Sequence, residues 1–424
     1  MKMSVEFIAY MNVTSPFRRN TIIVNSLIYT FGNALNALLP LLLIPYLTNI
    51  HTPEQYAKIA FFQMLVFILT PILGIESISY ISRTYFDKKK NINEYISTSL
   101  FILILSSFIV TFIIFIFDFI SLINNEIAFA FYLAIIYCIF IYPYNIFIAI
   151  LINREEPLRY TAFSLSLFFL SLICILGLYK FAESDPYLRV MGQIVSAFLI
   201  GTTALTMLAK SGYVALRATS NCAKDIVSFS APLVVHTLSG AMLGMGPQLV
   251  LAYFGSEAAM AEYSIALQVG SAIGLISVGV NKAITPWLIR NYESDPKTLN
   301  YYRVFARNCS VFLLLSFLIY ILFEEYLINF LILFIDNSHV GFKYHLKWIV
   351  FGFLINGVYL LYLNILICKK ETSILAFITA ASSIIGLLSS YIIIVNFDSN
   401  FVAFAMTLAF AFLAFSVAWR AQIQ

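Results

Sequence analysis

Twelve stretches of about twenty mostly apolar residues follow one another along this chain, with only short connections between them. In lipid, every backbone N–H and C=O must be satisfied within the segment that crosses, so runs of this length read as spanning helices. The expected spans are 22–48, 56–82, 95–118, 127–151, 160–180, 187–209, 226–253, 261–288, 304–323, 346–368, 372–395 and 401–419. Charged residues are 11% of the 424, against about 25% in a soluble domain. That leaves no room for a sizeable soluble domain. The expected fold is an all-α integral membrane protein of twelve transmembrane helices.

The basic residues test this count independently. Nineteen of the 25 Lys and Arg fall on one side of the ladder, from Lys2, Arg18 and Arg19 through Lys88–Lys90 to Arg420. The other side has Lys180, Arg189, Lys343 and Lys347, while Lys58 and Lys282 lie within spans. Translocating Lys and Arg is disfavoured, so the rich side is expected to be cytoplasmic, with both termini there. Trp287, Trp348 and Trp419 sit near span ends, where amphipathic rings prefer the headgroup layer. The organisation expected is a cytoplasmic tail 1–21, a six-helix half 22–209, a cytoplasmic linker 210–225, a second six-helix half 226–419 and a short cytoplasmic end 420–424.

Several functions lose support at this level. The apolar run Val5–Val13 is broken by Glu6 and lacks a small-residue cleavage site, so a tail is expected there rather than a signal peptide; Met1 and Met11 both remain candidate starts. The five cysteines are scattered without CxxC or His-spaced clusters, so neither a metal nor another cofactor is expected. The basic surplus belongs to loops and reports topology and anionic lipid, giving no case for nucleic acid. Lys88–Lys90 reads as a stop-transfer anchor. The longest outer connection, Glu324–His345, is small for an enzyme that must hold a soluble acceptor, and no P-loop, G-x-S-x-G or HExxH is present. A non-enzymatic protein is expected.

Both halves share one orientation and would be related by a pseudo-two-fold axis along the membrane normal. Sliding the chain by 207 residues pairs Pro40 with Pro247, Tyr56 with Tyr263 and Arg83 with Arg290. Proline within a span removes a hydrogen bond and kinks the helix. Pro40 and Pro45 mark the first span, Pro71 the second, and Pro232 and Pro247 the seventh, which also carries Gly240, Gly244 and Gly246. The seventh span is therefore expected to be the softest backbone, with Pro40, Pro45, Pro247, Gly244 and Gly246 as hinge candidates. Gly240 and Gly244 taken alone favour close helix packing, and the matched prolines tilt the two helices toward a moving element.

Ionisable groups inside a span are costly and usually face a cavity. Glu76 and Lys282 lie roughly 10 Å from the inner ends of the second and eighth spans, and His236 lies well inside the seventh. Asn33, Asn36, Gln63, Gln248, Gln268 and Asn281 add hydrogen-bonding capacity to the same four spans. Each has a plainer alternative: Lys282 can snorkel, His236 can be a packing residue, and Arg83 and Arg290 can be interfacial anchors. Together they point to a polar passage, with Glu76 and His236 as candidates for ion coupling.

At these residues the chain resembles a known family. Ala34-Leu-Asn-Ala-Leu-Leu-Pro-Leu-Leu-Leu-Ile-Pro-Tyr-Leu-Thr48, Gln55-Tyr56 and Leu73-Gly74 through Arg83 are similar to Wzx-type flippases of the multidrug/oligosaccharidyl-lipid/polysaccharide exporter superfamily. Phe229-Ser-Ala-Pro232 with His236, Tyr253-Phe-Gly255, Glu262-Tyr-Ser264 and Asn281-Lys-Ala283 continue the likeness. In many relatives an Asp-Arg pair follows a Met-Gly-like step, whereas here Met245-Gly246 is followed by Pro247-Gln248. The resemblance implies flipping of an undecaprenyl-pyrophosphate-linked oligosaccharide across the bacterial inner membrane by alternating access, for O-antigen or surface polysaccharide. It implies a proton or sodium gradient as driving force, and a polysaccharide polymerase and chain-length regulator as partners. Arg83, Lys282 and Arg290 would hold the pyrophosphate, and Gln248, Asn281, Asn33 and Gln63 would line the sugar cavity. The alternatives are a cation-coupled drug exporter of the same superfamily and a polysaccharide polymerase. A major-facilitator transporter lacks support, because its Gly-Asp-Arg-rich loop is absent from Ser82–Lys90.

Overall fold

The computed structural model describes residues 28, 31–32, 40–85, 87, 90–180, 185–215, 217–295, 297–369 and 371–422. Asn33, Asn36, the tail and most of the first expected span lie outside these residues, and for Lys282 and Arg290 only the backbone is described. Regular structure among the described residues is helical. It runs α1 (Pro40–Ile50), α2 (Pro53–Leu73), α3 (Ser77–Thr84), α4 (Ile92–Phe119), α5 (Asn125–Asn153), α6 (Pro157–Tyr179), α7 (Tyr187–Lys210), α8 (Ser220–Phe254), α9 (Glu257–Ser294), α10 (Thr298–Ile332), α11 (Phe342–Cys368), α12 (Thr372–Asn396) and α13 (Val402–Gln422). Eleven helices among the described residues are long and apolar enough to cross a membrane, and α1 is a shorter apolar helix.

The chain divides into two compact units. The N-unit contains Ile50–Ala241 and the C-unit contains Pro40–Asn49 with Met242–Gln424, so the division falls inside α8. In the N-unit, α5 packs on α2, α4 and α7, and α6 packs on α7. In the C-unit, α11 packs on α9, α10 and α13, and α12 packs on α13. Between such helices lipid supplies no hydrophobic drive, so close approach of small residues replaces it. Ala197, Gly201 and Ala204 on α7 give α5 such a surface: a Cβ built on Gly201 would lie 1.8 Å from the Phe140 carbonyl oxygen. Large apolar residues left exposed on α4 and α10, among them Phe108, Phe112, Phe312 and Leu322, suit a hydrocarbon surround.

Three expectations change. The seventh span, read as the softest backbone, is one continuous helix through Pro232 and Pro247. A proline removes a single donor, and the remaining ladder carries the helix on. The break is in the second span, expected as one helix over 56–82. There α2 stops at Leu73, Gly74–Glu76 form a turn, and α3 restarts at Ser77. Ile75 and Glu76 take left-handed conformations, with φ of 47° and 48°, unusual for L-residues and most unusual for a β-branched one. The connection expected over Glu324–His345 also shortens, because α10 runs to Ile332 and α11 starts at Phe342.

Hydroxyls occupy the carbonyls that the break releases. Ser106 donates to the Leu73 carbonyl, Tyr142 to that of Gly74 at 3.4 Å, and Ser230 to that of Glu76 at 3.3 Å. The Tyr142 hydroxyl also bonds Ser77 and, at 2.8 Å, Ser99. Gly74 is required by this arrangement, since a Cβ there would meet the Tyr142 ring at 2.3 Å. Tyr142→Phe is expected to destabilise the N-unit by about 1 kcal/mol. Ser77 and Ser99 keep each other as partners at 2.5 Å, which limits the loss. Thermal unfolding in detergent measures it.

Candidate functional site

The broken helix brings its two ends to different tasks. At the turn, Glu76 lies half-buried in the left-handed position, accepting from Ser79 Oγ at 3.3 Å through Oε2. His236 is on the part of α8 within the N-unit, the helix whose Ser230 bonds the Glu76 carbonyl. Its Nδ1 is buried and has no hydrogen-bond partner among the described residues. The two ion-coupling candidates thus lie on elements that meet at the backbone turn.

One helical segment further on, α3, Asp87 and Lys90 beyond it, and the start of α8 line a polar pocket. Its volume is about 530 Å³, and its walls are Tyr80, Arg83, Thr84, Asp87, Lys90, Asp225, Ser228 and Phe229. Arg83 is exposed, and its guanidinium carbon lies 4.8 Å from the centre of the Phe229 ring. It makes no ion pair among the described residues.

Lys90 is the hub of the opposite wall. Its Nζ donates to the Tyr80 hydroxyl at 2.5 Å and to Asp225 Oδ2 at 3.3 Å. It also stands over the Tyr80 and Tyr95 rings, at 5.1 and 5.3 Å from their centres. Tyr95 donates to the same Asp225 oxygen at 2.8 Å and Tyr80 at 3.4 Å. The Tyr80 hydroxyl, and after it Asp225, raise the Lys90 pKa above the ordinary lysine value despite partial desolvation. Lys90 stays an ammonium at any working pH.

The segment ahead of α8 is fastened to the same unit. Arg154 donates to the Tyr213 hydroxyl at 2.9 Å through Nη2 and 3.2 Å through Nε. The Ala215 amide donates to Ser97 Oγ at 2.8 Å, and the Thr219 amide to Thr98 Oγ1 at 3.3 Å.

Among the residues expected to line a sugar cavity, Gln63 donates through Nε2 to Gln193 Oε1 at 2.5 Å. Gln248 is buried within the C-unit. Asn281 accepts from Asn364 Nδ2 at 2.7 Å, and Asn364 is itself bonded to Thr285 and Tyr302. Gln63 and Asn281 are thus hydrogen-bonded between helices. Gly244 offers its carbonyl to the Tyr263 hydroxyl at 2.7 Å, and Gly246 faces Leu387. The described structure brings Arg83 together with Lys90, Tyr80, Tyr95, Asp225 and Phe229, none of which stood out in the sequence as site residues.

The polysaccharide biosynthesis protein family profile matches residues 22–292. A protein of the Lsg locus of Haemophilus influenzae is 21% identical over 367 residues, which are 85% of this chain and 88% of that protein. Among solved structures, an inward-facing multidrug resistance MATE family transporter of the MOP superfamily superposes with a TM-score of 0.72 at 14% identity, covering 93% of this chain and 94% of that one. The Vibrio cholerae MATE transporter VcmN gives 0.64 at 12% identity, covering 99% and 97%. A MOP superfamily transporter from Pyrococcus furiosus gives 0.58 at 16% identity, covering 95% of each.

Proposed function

Because the chain belongs to the polysaccharide biosynthesis protein family, with the fold of MOP superfamily transporters, we propose that it flips a lipid-linked oligosaccharide between membrane leaflets. The observation that carries the reading is the family match over residues 22–292. The likeness to drug exporters is one of fold. Undecaprenyl pyrophosphate is the proposed carrier, and O-antigen or another surface polysaccharide the proposed destination. The proposed setting is the bacterial inner membrane, with twelve spans in two six-helix halves and both termini cytoplasmic.

The chemistry follows from the charges. A pyrophosphate crossing lipid needs cations in place of water, and Arg83, Lys282 and Arg290 supply them. A planar guanidinium suits a phosphate edge better than a point charge. The prenyl tail stays in lipid while the sugars pass a polar path that includes Gln248, Asn281, Asn33 and Gln63. Pro40, Pro45, Pro247, Gly244 and Gly246 serve as hinges for alternating access. Glu76 and His236 couple the cycle to a proton or sodium gradient. A polysaccharide polymerase and a chain-length regulator act on what is delivered.

Deleting the gene in its host and measuring lipid-linked units on each leaflet tests the reading. Units trapped on the cytoplasmic leaflet with surface polymer lost support it. Normal delivery with new drug sensitivity points to an exporter, and unpolymerised units on the outer leaflet to a polymerase. Arg83→Gln is expected to slow transport by roughly ten- to a hundredfold, the range for losing a charge-assisted bond. Arg83→Lys should restore part of the rate. Both are read as flipping in vesicles at matched protein levels.

A further inference from the structure

We propose that the pocket between Arg83 and Lys90 is a phosphate-headgroup site in which Asp225 is a built-in competitor for Lys90. The inference rests on the flippase reading only for the source of its ligand; the chemistry is that of any phosphate ester at the basic face of the membrane.

The pocket is polar, and about 530 Å³ falls within the size range of small-ligand sites. Its two cations are placed differently. Arg83 holds its guanidinium carbon 4.8 Å from the centre of the Phe229 ring, and with no ion pair among the described residues its N–H fork suits an oxyanion. Lys90 has three donors, and Tyr80 and Asp225 take two. The third is available to a ligand on the pocket side.

Shifting Lys90 from Asp225 to a phosphate does not orphan the carboxylate. Asp225 keeps the Tyr95 hydroxyl at 2.8 Å and the Tyr80 hydroxyl at 3.4 Å. The exchange is therefore cheap compared with breaking an ordinary partly buried ion pair, where the survivor is left uncompensated. With Asp87 and Asp225 opposing Arg83 and Lys90, the lining is neutral overall. Phosphate binding is held weak by design of the charges, as suits a ligand that must leave.

This gives a sign that a purely structural cluster does not. Full-length protein in phosphatidylcholine nanodiscs is titrated with inorganic pyrophosphate, and affinity is read by calorimetry. Arg83→Gln and Lys90→Gln should each weaken binding about tenfold. Asp225→Asn, which keeps the shape and the Tyr95 partner, should tighten it by a similar factor. Far-ultraviolet dichroism and thermal unfolding check each variant, and Arg83→Lys replaces Arg83→Gln if the latter fails to fold.

Repeating the titration with phosphatidylglycerol in the disc separates the sources. Competition by the lipid identifies a bilayer headgroup as occupant, and its absence identifies a pyrophosphate carried to the site; either outcome supports the site. No pyrophosphate binding in phosphatidylcholine discs, or weakening by Asp225→Asn, overturns it. A null here with flipping intact leaves the transport reading standing, and binding without flipping leaves the site standing alone.

Discussion

Gly201→Ala is expected to remove most of the folded protein, although it adds a single methyl group. The new carbon would lie 1.8 Å from the Phe140 carbonyl oxygen, and a backbone atom cannot turn aside as a side chain can. The α5 and α7 helices must separate, and with them the packing of Ala197 and Ala204, both fully buried. Overpacking of this kind costs about 1–3 kcal/mol or more, a large share of a marginal stability. Gly177→Ala provides the control. No atom lies within 4 Å of a Cβ built there, so the same change in α6 should gain up to about 1 kcal/mol of helix propensity. Monodisperse yield and thermal midpoint, measured side by side, should move in opposite directions. Equal behaviour of the two variants would disprove the close-contact account.

Glu76 should separate stability from activity in the opposite sense. Its backbone is left-handed at φ 48°, a conformation that costs an L-residue roughly 1–2 kcal/mol and glycine almost nothing. Glu76→Gly is expected to raise the thermal midpoint while lowering gradient-driven flipping by about tenfold or more, since the carboxylate is gone. Glu76→Gln keeps the strain, so it should leave the midpoint near wild type and lose transport equally. Vesicle flipping with and without an imposed gradient distinguishes a coupling role from a packing one. Wild-type transport by the glutamine variant would take the carboxylate out of the mechanism.

The helical membrane fold was legible because twenty-residue apolar runs and the side preference of Lys and Arg are local signals. Proline content alone misplaced the discontinuity. Pro232 and Pro247 each remove one donor from a helix that continues, whereas the break after Pro71 also needed Gly74 to admit the Tyr142 ring and serines to meet the freed carbonyls. Those partners come from α4, α5 and α8. The pocket was hidden for the same reason. Lys90 looks like one member of a basic run, and its partner Asp225 is 135 residues away. Glu76 was legible because a carboxylate inside an apolar run is unusual wherever it folds. Gln63 and Asn281 were legible as polar, but their partners Gln193 and Asn364 show how readily a buried amide serves packing.

The segment between α7 and α8 also bears on how the protein is handled. A connection between spanning helices is the usual choice for inserting a tag, a reporter or a protease site. Here its amides at Ala215 and Thr219 and the hydroxyl of Tyr213 are all committed, and tolerance to insertion follows such commitments rather than position in the sequence. Even the turn at Gly212, with φ 74°, is bonded into the end of α7: the Gly212 and Tyr213 amides donate to the Ala209 and Leu208 carbonyls at 3.0 and 2.9 Å. Cargo inserted at Gly212, Ala215 or Thr219 should therefore cost the protein part of its assembly.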